Sequence, residues 1–163
     1  MSVPLRVLLD TNVYGIVVGK ETAVILNNAR DSRKTIFYGF SVVRNELRAV
    51  PTKWENAGGN FRNLLLDYYD KLTGPHAFAS TKRIEFLAQE YSDFYSGGIS
   101  KRKLWNDFLI VACASVHELD IIVSEDKHTM QSELVLKVYN IINAKNRLTT
   151  PTIHSIRVFE RLL

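Results

Sequence analysis

Four acidic residues adjoin apolar runs in this chain of 163 residues: Asp10 in Leu8-Leu9-Asp10-Thr11-Asn12, Glu46 in Arg44-Asn45-Glu46-Leu47, Asp107 in Trp105-Asn106-Asp107-Phe108-Leu109-Ile110, and Asp126 in Val123-Ser124-Glu125-Asp126. A carboxylate beside an apolar run is costly to bury unless a cation or hydrogen-bond donors compensate it. Four such placements suggest convergence on a shared cation. Hard oxygen ligands select Mg²⁺ or Mn²⁺ over softer ions, and His76, His117, His128 and His154 are too scattered to offer a zinc site. The chemistry to expect is cleavage of phosphodiesters, with the cation activating water and neutralising phosphate charge. Such a reaction needs no catalytic Ser, Cys or His, and no triad is visible.

The elements that must position these acids alternate along the chain. Val7-Leu8-Leu9 is wholly apolar and stops at Asp10, as a central parallel strand buried on both faces would. The pattern then predicts a helix from Glu21 to Ala29 and a second strand at Thr35-Ile36-Phe37-Tyr38. Ser41 is a plausible N-cap for a helix from Val42 to Ala49 that carries Glu46 and ends at Pro51. Gly58-Gly59 reads as a break before helices at about 60–71 and 81–95, expected to pair as a helical hairpin within an insertion at about 60–96. A long helix over about 100–118 is apolar nearly all round from Leu104 to Val116, which marks it as internal and makes Asp107 the sharpest of the four acids. Ile121-Ile122-Val123 forms a third buried strand, and a final helix is expected near 154–163. Strands separated by helices predict one α/β domain over residues 1–163, a three-layer α/β/α sandwich around a mostly parallel sheet. Ligands of such sheets bind at the carboxyl ends of the strands, the edge where Asp10, Glu46 and Asp126 fall.

Composition sets outer bounds. With 46% hydrophobic residues and mean hydropathy near zero, the chain reads as a soluble globular protein. No apolar stretch reaches the roughly 20 residues of a membrane span. Met1-Ser2-Val3-Pro4-Leu5-Arg6 passes into a strand-like run rather than a signal peptide, so a cytoplasmic location is expected. The single cysteine, Cys113, lies in an apolar run and reads as a buried hydrophobe. A net charge of +4 and a pI near 9.2 favour an anionic partner without proving one. From Leu134 onward Lys137, Lys145, Arg147, Arg157 and Arg161 face only Glu160, either a phosphate-facing surface or a solvated helical face.

Taken together and in order, these motifs resemble the PIN-domain ribonucleases, which include the toxins of VapBC-type toxin–antitoxin pairs. Leu8-Leu9-Asp10-Thr11-Asn12 is similar to that family's opening motif, Glu46 to its helical Glu, Asn106-Asp107-Phe108-Leu109-Ile110 to its third acidic motif, and Val123-Ser124-Glu125-Asp126 to its last. The resemblance implies that Asp10, Glu46, Asp107 and Asp126 coordinate one or two Mg²⁺ or Mn²⁺ ions. It also implies that Thr11 or Ser124 holds a carboxylate or a metal-bound water, assisted by Asn12. It implies an RNA substrate, a homodimer and, for a toxin, a small antitoxin partner. Lys127-His128-Thr129 stands where many relatives carry a further acid, and residues 56–98 make a long segment for the smallest toxins.

Lys101, Arg102 and Lys103, just before Asp107, are the first candidates for contacts to RNA phosphates, although Lys103 is also placed to be a counter-ion to Asp107 one helical turn on. Two other classes compete. Phosphatases of the haloacid-dehalogenase type and receiver domains also carry an Asp after the first parallel strand, but the former want a second acid where Asn12 stands and the latter want adjacent acids. The other is a PIN-like module without catalysis that binds RNA or a protein.

Overall fold

The computed structural model describes residues 2–51 and 60–163. Gly58-Gly59 therefore lies outside the described residues. Five strands, β1 (Leu5–Leu9), β2 (Thr35–Phe40), β3 (Ala77–Phe78), β4 (Ile121–Val123) and β5 (Thr152–His154), form one sheet in the order β3-β2-β1-β4-β5. Every pairing is parallel, so the sheet is wholly rather than mostly parallel. Val7, Leu8 and Leu9 of β1 and all of β4 are buried, as strands covered on both faces must be.

Eight helices flank the sheet among the described residues: α1 (Thr11–Val17), α2 (Glu21–Asp31), α3 (Ser41–Arg48), α4 (Phe61–Thr73), α5 (Lys82–Phe94), α6 (Lys101–Val116), α7 (Glu133–Lys145) and α8 (Ile156–Glu160). Chain order runs outward from β1 to β2 and β3, then returns to β4 and β5 on the other side. Right-handed crossovers then place α1–α4 on one face and α5–α7 on the other. The packing agrees: α1, α3 and α4 pack on one another, α5 packs on α6 and α7, and α3 also touches α6.

Three local expectations are corrected. The helices at about 60–96 do not pair as a hairpin: α4 lies against β2, α3 and α1, α5 lies against α6 and α7, and β3 intervenes on the edge of β2. Ser41 does not cap α3; Phe40 holds that position, and the Ser41 hydroxyl instead accepts from the Ser80 N–H at 3.2 Å. Strands β3 and β5 and helix α1 were not anticipated.

Helix α6 is internal, with Leu104 and every residue from Phe108 to Ser115 buried. A buried polar network fixes it between its neighbours. Asn143 on α7 donates to Ser115 Oγ of α6 at 3.0 Å and accepts from Tyr91 of α5 at 2.5 Å. Cys113 is buried within this helix, which pushes its thiol up to about 12 and makes it an inert core residue. Among the described residues, no helix is long and apolar enough to cross a membrane.

Candidate active site

Strands β1 and β4 are neighbours, yet the chain leaves them in opposite directions, which makes their carboxyl ends the topological switch point of the sheet. A crevice opens there in sheets of this type. Asp10 follows β1 directly and extends the ladder by one bond, its N–H donating to Val123 O at 2.9 Å. Its side chain caps α1 through Thr11 N at 2.7 Å and accepts the Ser124 hydroxyl at 2.7 Å. With 5% of its surface exposed, the carboxyl is pushed up to about 6, chiefly by burial and in smaller part by the charges of Glu46 and Asp126, against the pull of its two donors.

Asp107 approaches the same edge of the sheet from α6. Burial pushes it up to about 7, with the Thr129 hydroxyl opposing and the charges of Asp10, Asp126 and Glu46 adding to the rise. Asp10 and Asp107 therefore both feel the charges of Glu46 and Asp126 across the carboxyl edge of the sheet. Glu46 arrives from α3, and its Oε1 accepts from the Asn106 side-chain amide at 2.8 Å, which ties α3 to α6 beside Asp107.

Asp126 behaves differently. Burial acts to raise it, but the Thr129 hydroxyl and the backbone N–H groups of Thr129 and His128 outweigh that and hold it below the usual carboxylate range. Oδ1 accepts from His128 N at 3.0 Å and Thr129 N at 2.8 Å, while Oδ2 accepts from Thr129 Oγ1.

The supporting residues divide. Ser124 is fully buried; its hydroxyl donates to Asp10 and accepts from Asp126 N at 3.1 Å, so it joins two of the acids. Thr11 holds Asp10 only through its backbone N–H, and its buried hydroxyl has no partner, so of the two hydroxyls expected to hold a carboxylate or a metal-bound water it is that of Ser124 that meets a carboxylate. Asn12 accepts from Glu125 N at 3.3 Å, bracing the loop after β4 rather than an acid.

Lys101, Arg102 and Lys103 are exposed in the first turn of α6, and Lys103 forms no ion pair with Asp107, which leaves its counter-ion role without support. The three line a depression of about 320 Å³ with Ser92, Trp105 and Asn106. Asn106 therefore borders both the cationic depression and Glu46. On the basic tail, Lys137 pairs with Glu133 and Lys145 with Glu90, both at 3.4 Å.

Three residues near the acids escaped the sequence reading. Asn106 was visible only as a neighbour of Asp107. Thr129 carried a signal, the Asp-x-x-Thr spacing from Asp126 that favours a side-chain-closed turn. Tyr139 on α7 carried none: it is fully buried, its hydroxyl has no partner, and burial and then the charge of Asp107 drive it well above the ordinary phenol range.

The donor set fits a hard divalent cation in kind, since every candidate ligand is a carboxylate and two of them are held partly protonated by burial and mutual repulsion. It does not yet fit in spacing. Among the described residues, no three acidic, His or Cys side chains stand close enough together to hold an ion.

Across 92% of its length, the chain superimposes on 94% of a chain from the structure of FitAB bound to an IR36 DNA fragment, with a TM-score of 0.56 and 16% identity. It matches likewise, over 93% of its length and 98% of the other, a chain from VapBC2 of Rickettsia felis bound to a promoter DNA fragment, with a TM-score of 0.52 and 14% identity. Both neighbours are PIN-domain systems. The chain has a PIN-like fold. At such identities the likeness is one of architecture, and no protein-family model and no curated protein matches the sequence. In this PIN-like fold the four acids all lie at the carboxyl edge, around the junction of β1 and β4.

Proposed function

We propose that this chain is a divalent-metal-dependent endoribonuclease, that it is the toxin of a toxin–antitoxin pair, and that Asp10, Glu46, Asp107 and Asp126 hold its Mg²⁺ or Mn²⁺. The observation that carries this reading is Asp107: an acid on an internal helix, raised to about 7 by burial and by three other acids. Such a placement is destabilising without a ligand for it, and buried, charge-coupled acids in a cleft mark functional sites. A bound cation supplies Lewis acidity, activation of water and neutralisation of phosphate charge.

The chain's own groups do the rest. Ser124 keeps Asp10 in place, Asn106 keeps Glu46 in place, and the Asp126 turn presents its carboxylate from the loop after β4. Lys101, Arg102 and Lys103 bind backbone phosphates in the depression beside Asn106, where three cations in a first helical turn oppose the helix dipole and gain from an anion. Hydrolysis adds water oxygen to phosphorus, breaks the bond to the 3′ oxygen, and leaves a 5′-phosphate and a 3′-hydroxyl.

A small antitoxin protein covering the acidic edge is the partner this reading implies, and the neighbours FitAB and VapBC2 are supporting precedents for such pairs. A homodimer in the cytoplasm completes the proposal; light scattering would give twice the 18.6 kDa chain mass.

One observation favours a second reading, a PIN-like module that binds RNA or protein without catalysis: the spacing of the acids, none of which form a ready group of three. Incubation of labelled single-stranded RNA with the protein in Mg²⁺ or Mn²⁺, with EDTA and Asp107→Asn as controls, separates the two. Cleavage that leaves 5′-phosphates and disappears in both controls supports the nuclease. Binding of RNA without cleavage across several RNAs supports the module.

A further inference from the structure

Lys101, Arg102 and Lys103 stand one helical turn before Trp105, Asn106 and Asp107 respectively, all on α6. Residues four apart share a side of a helix, whereas consecutive residues turn by about 100°. The three exposed cations therefore fan round the first turn of α6. Lys103 stands on the side of Asp107, Arg102 on that of Asn106, and Lys101 on that of Trp105, away from the acids. A polyanion that follows them passes from the acidic edge to Trp105.

Trp105 is half-buried and lines two depressions. One, of about 320 Å³, it shares with the three cations and Asn106. The other, of about 460 Å³, lies between α5 and α6, where Phe86, Gln89 and Leu109 also line it. Charge differs between the two: the first has three cations and no acid, while in the second Lys82 is offset by Glu85. The first suits phosphates and the second an uncharged ring.

Packing explains the covered part of Trp105, which rests against the core. It does not explain Phe86, which lines the same depression from α5 and is 74% exposed. Two aromatic side chains in one depression, beside a run of cations, are the parts of a single-strand binding surface, on which bases stack while cations track the backbone.

We propose that Trp105 is a base-stacking residue for single-stranded RNA. Phosphates of a strand that enters the acidic edge lie along Lys103, Arg102 and Lys101, and the base beyond them stacks on the indole in the depression lined by Phe86. This deepens the RNA-cleaving reading above and rests on its RNA substrate. Every base has a π-face, so the subsite selects single strands rather than one sequence.

The test is fluorescence anisotropy with a labelled single-stranded oligoadenylate RNA at several salt concentrations, in EDTA so that no cleavage interferes. Trp105→Leu is expected to lower affinity about 5- to 150-fold and to leave the salt slope unchanged, because stacking releases no counterions. Trp105→Phe, which keeps a ring, should lose less than Trp105→Leu. In Trp54→Phe, where Trp105 is the one remaining tryptophan, RNA should quench the indole fluorescence, a reading that needs no substitution at Trp105. Wild-type affinity in Trp105→Leu, or unquenched fluorescence in Trp54→Phe, while replacement of Lys101, Arg102 and Lys103 by Gln weakens binding, would overturn the stacking role and leave the RNA reading standing. No RNA binding by the wild type would overturn both. Binding with quenching but no cleavage once Mg²⁺ is added would support the stacking role and count against the nuclease alone.

Discussion

Ser124 Oγ donates to Asp10 Oδ2 at 2.7 Å across the junction of β1 and β4, joining residues 114 positions apart in sequence. The bond couples the switch point of the sheet to the acid that follows its central strand. Removing the hydroxyl in Ser124→Ala leaves a buried carboxylate one donor short, at a cost of about 1–3 kcal/mol. Urea denaturation is expected to show the larger loss at pH 8, where Asp10 is ionised, and a smaller one at pH 5, where it is mostly protonated.

The raised acids make stability fall as pH rises. Burial raises the Asp10 carboxyl from 3.8 to about 6 and that of Asp107 to about 7, so between pH 4 and 7 the folded state keeps protons that the unfolded chain releases. Their favourable contribution is complete below pH 4 and lost by about pH 7, on the order of 3 kcal/mol for Asp10. Asp126, lowered from 3.8, works in the opposite sense and only below about pH 4. The melting temperature in EDTA should therefore drop from pH 4 to 7, and Asp107→Asn should flatten that drop and melt higher than wild type at pH 7. A wild-type midpoint that climbs over this range would contradict the burial of these groups.

Cation binding has to displace those protons. Added Mn²⁺ should raise the melting temperature more at pH 7.5 than at pH 5.5, and EDTA should reverse the gain. An equal gain at both values would point to a site built from other groups.

Replacing Lys101, Arg102 and Lys103 by Gln should weaken single-stranded RNA binding and lower its salt dependence by about 0.7 in log–log slope for each phosphate the variant no longer neutralises. Stability should hold or rise slightly, because three cations in the first turn of α6 oppose its dipole. Filter binding at several salt concentrations reads the first effect and thermal melting the second. An unchanged slope would remove these residues from the interface.

Away from the site, Gly39 of β2 admits the Tyr69 ring from α4. A Cβ at Gly39 would lie 2.7 Å from Tyr69 Cζ and closer still to its hydroxyl, and the ring is only 2% exposed and cannot retreat. Gly39→Ala should cost about 1–3 kcal/mol by overpacking, and Tyr69→Leu in the same chain should recover part of it.

What was legible in the sequence was what local pattern controls. The runs Val7-Leu8-Leu9 and Ile121-Ile122-Val123 could only be buried strands, and the unbroken apolar surface of α6 announced an internal helix with Asp107 upon it. Strands β3 and β5 were not legible because they are two and three residues long and have no buried face to impose an alternation. Helix α1 begins at Thr11, directly after the acid that caps it, too short for its period to separate from the strand. The hairpin expectation failed because two adjacent amphipathic helices reveal that each has an apolar face, not which partner each face covers. Asn106 acts through a contact between elements, reaching 60 positions back to Glu46, which no local spacing encodes.

The most direct measurement is anomalous diffraction from a crystal of the protein soaked in Mn²⁺. A peak within coordinating distance of carboxylate oxygens from Asp10, Asp107 and Asp126, with Glu46 alongside, is the expected result, and it requires the acids to close up from the separation described above. A well-ordered crystal with no peak at the carboxyl edge of β1 and β4, or with its peak elsewhere, would contradict the metal site on which the nuclease reading depends.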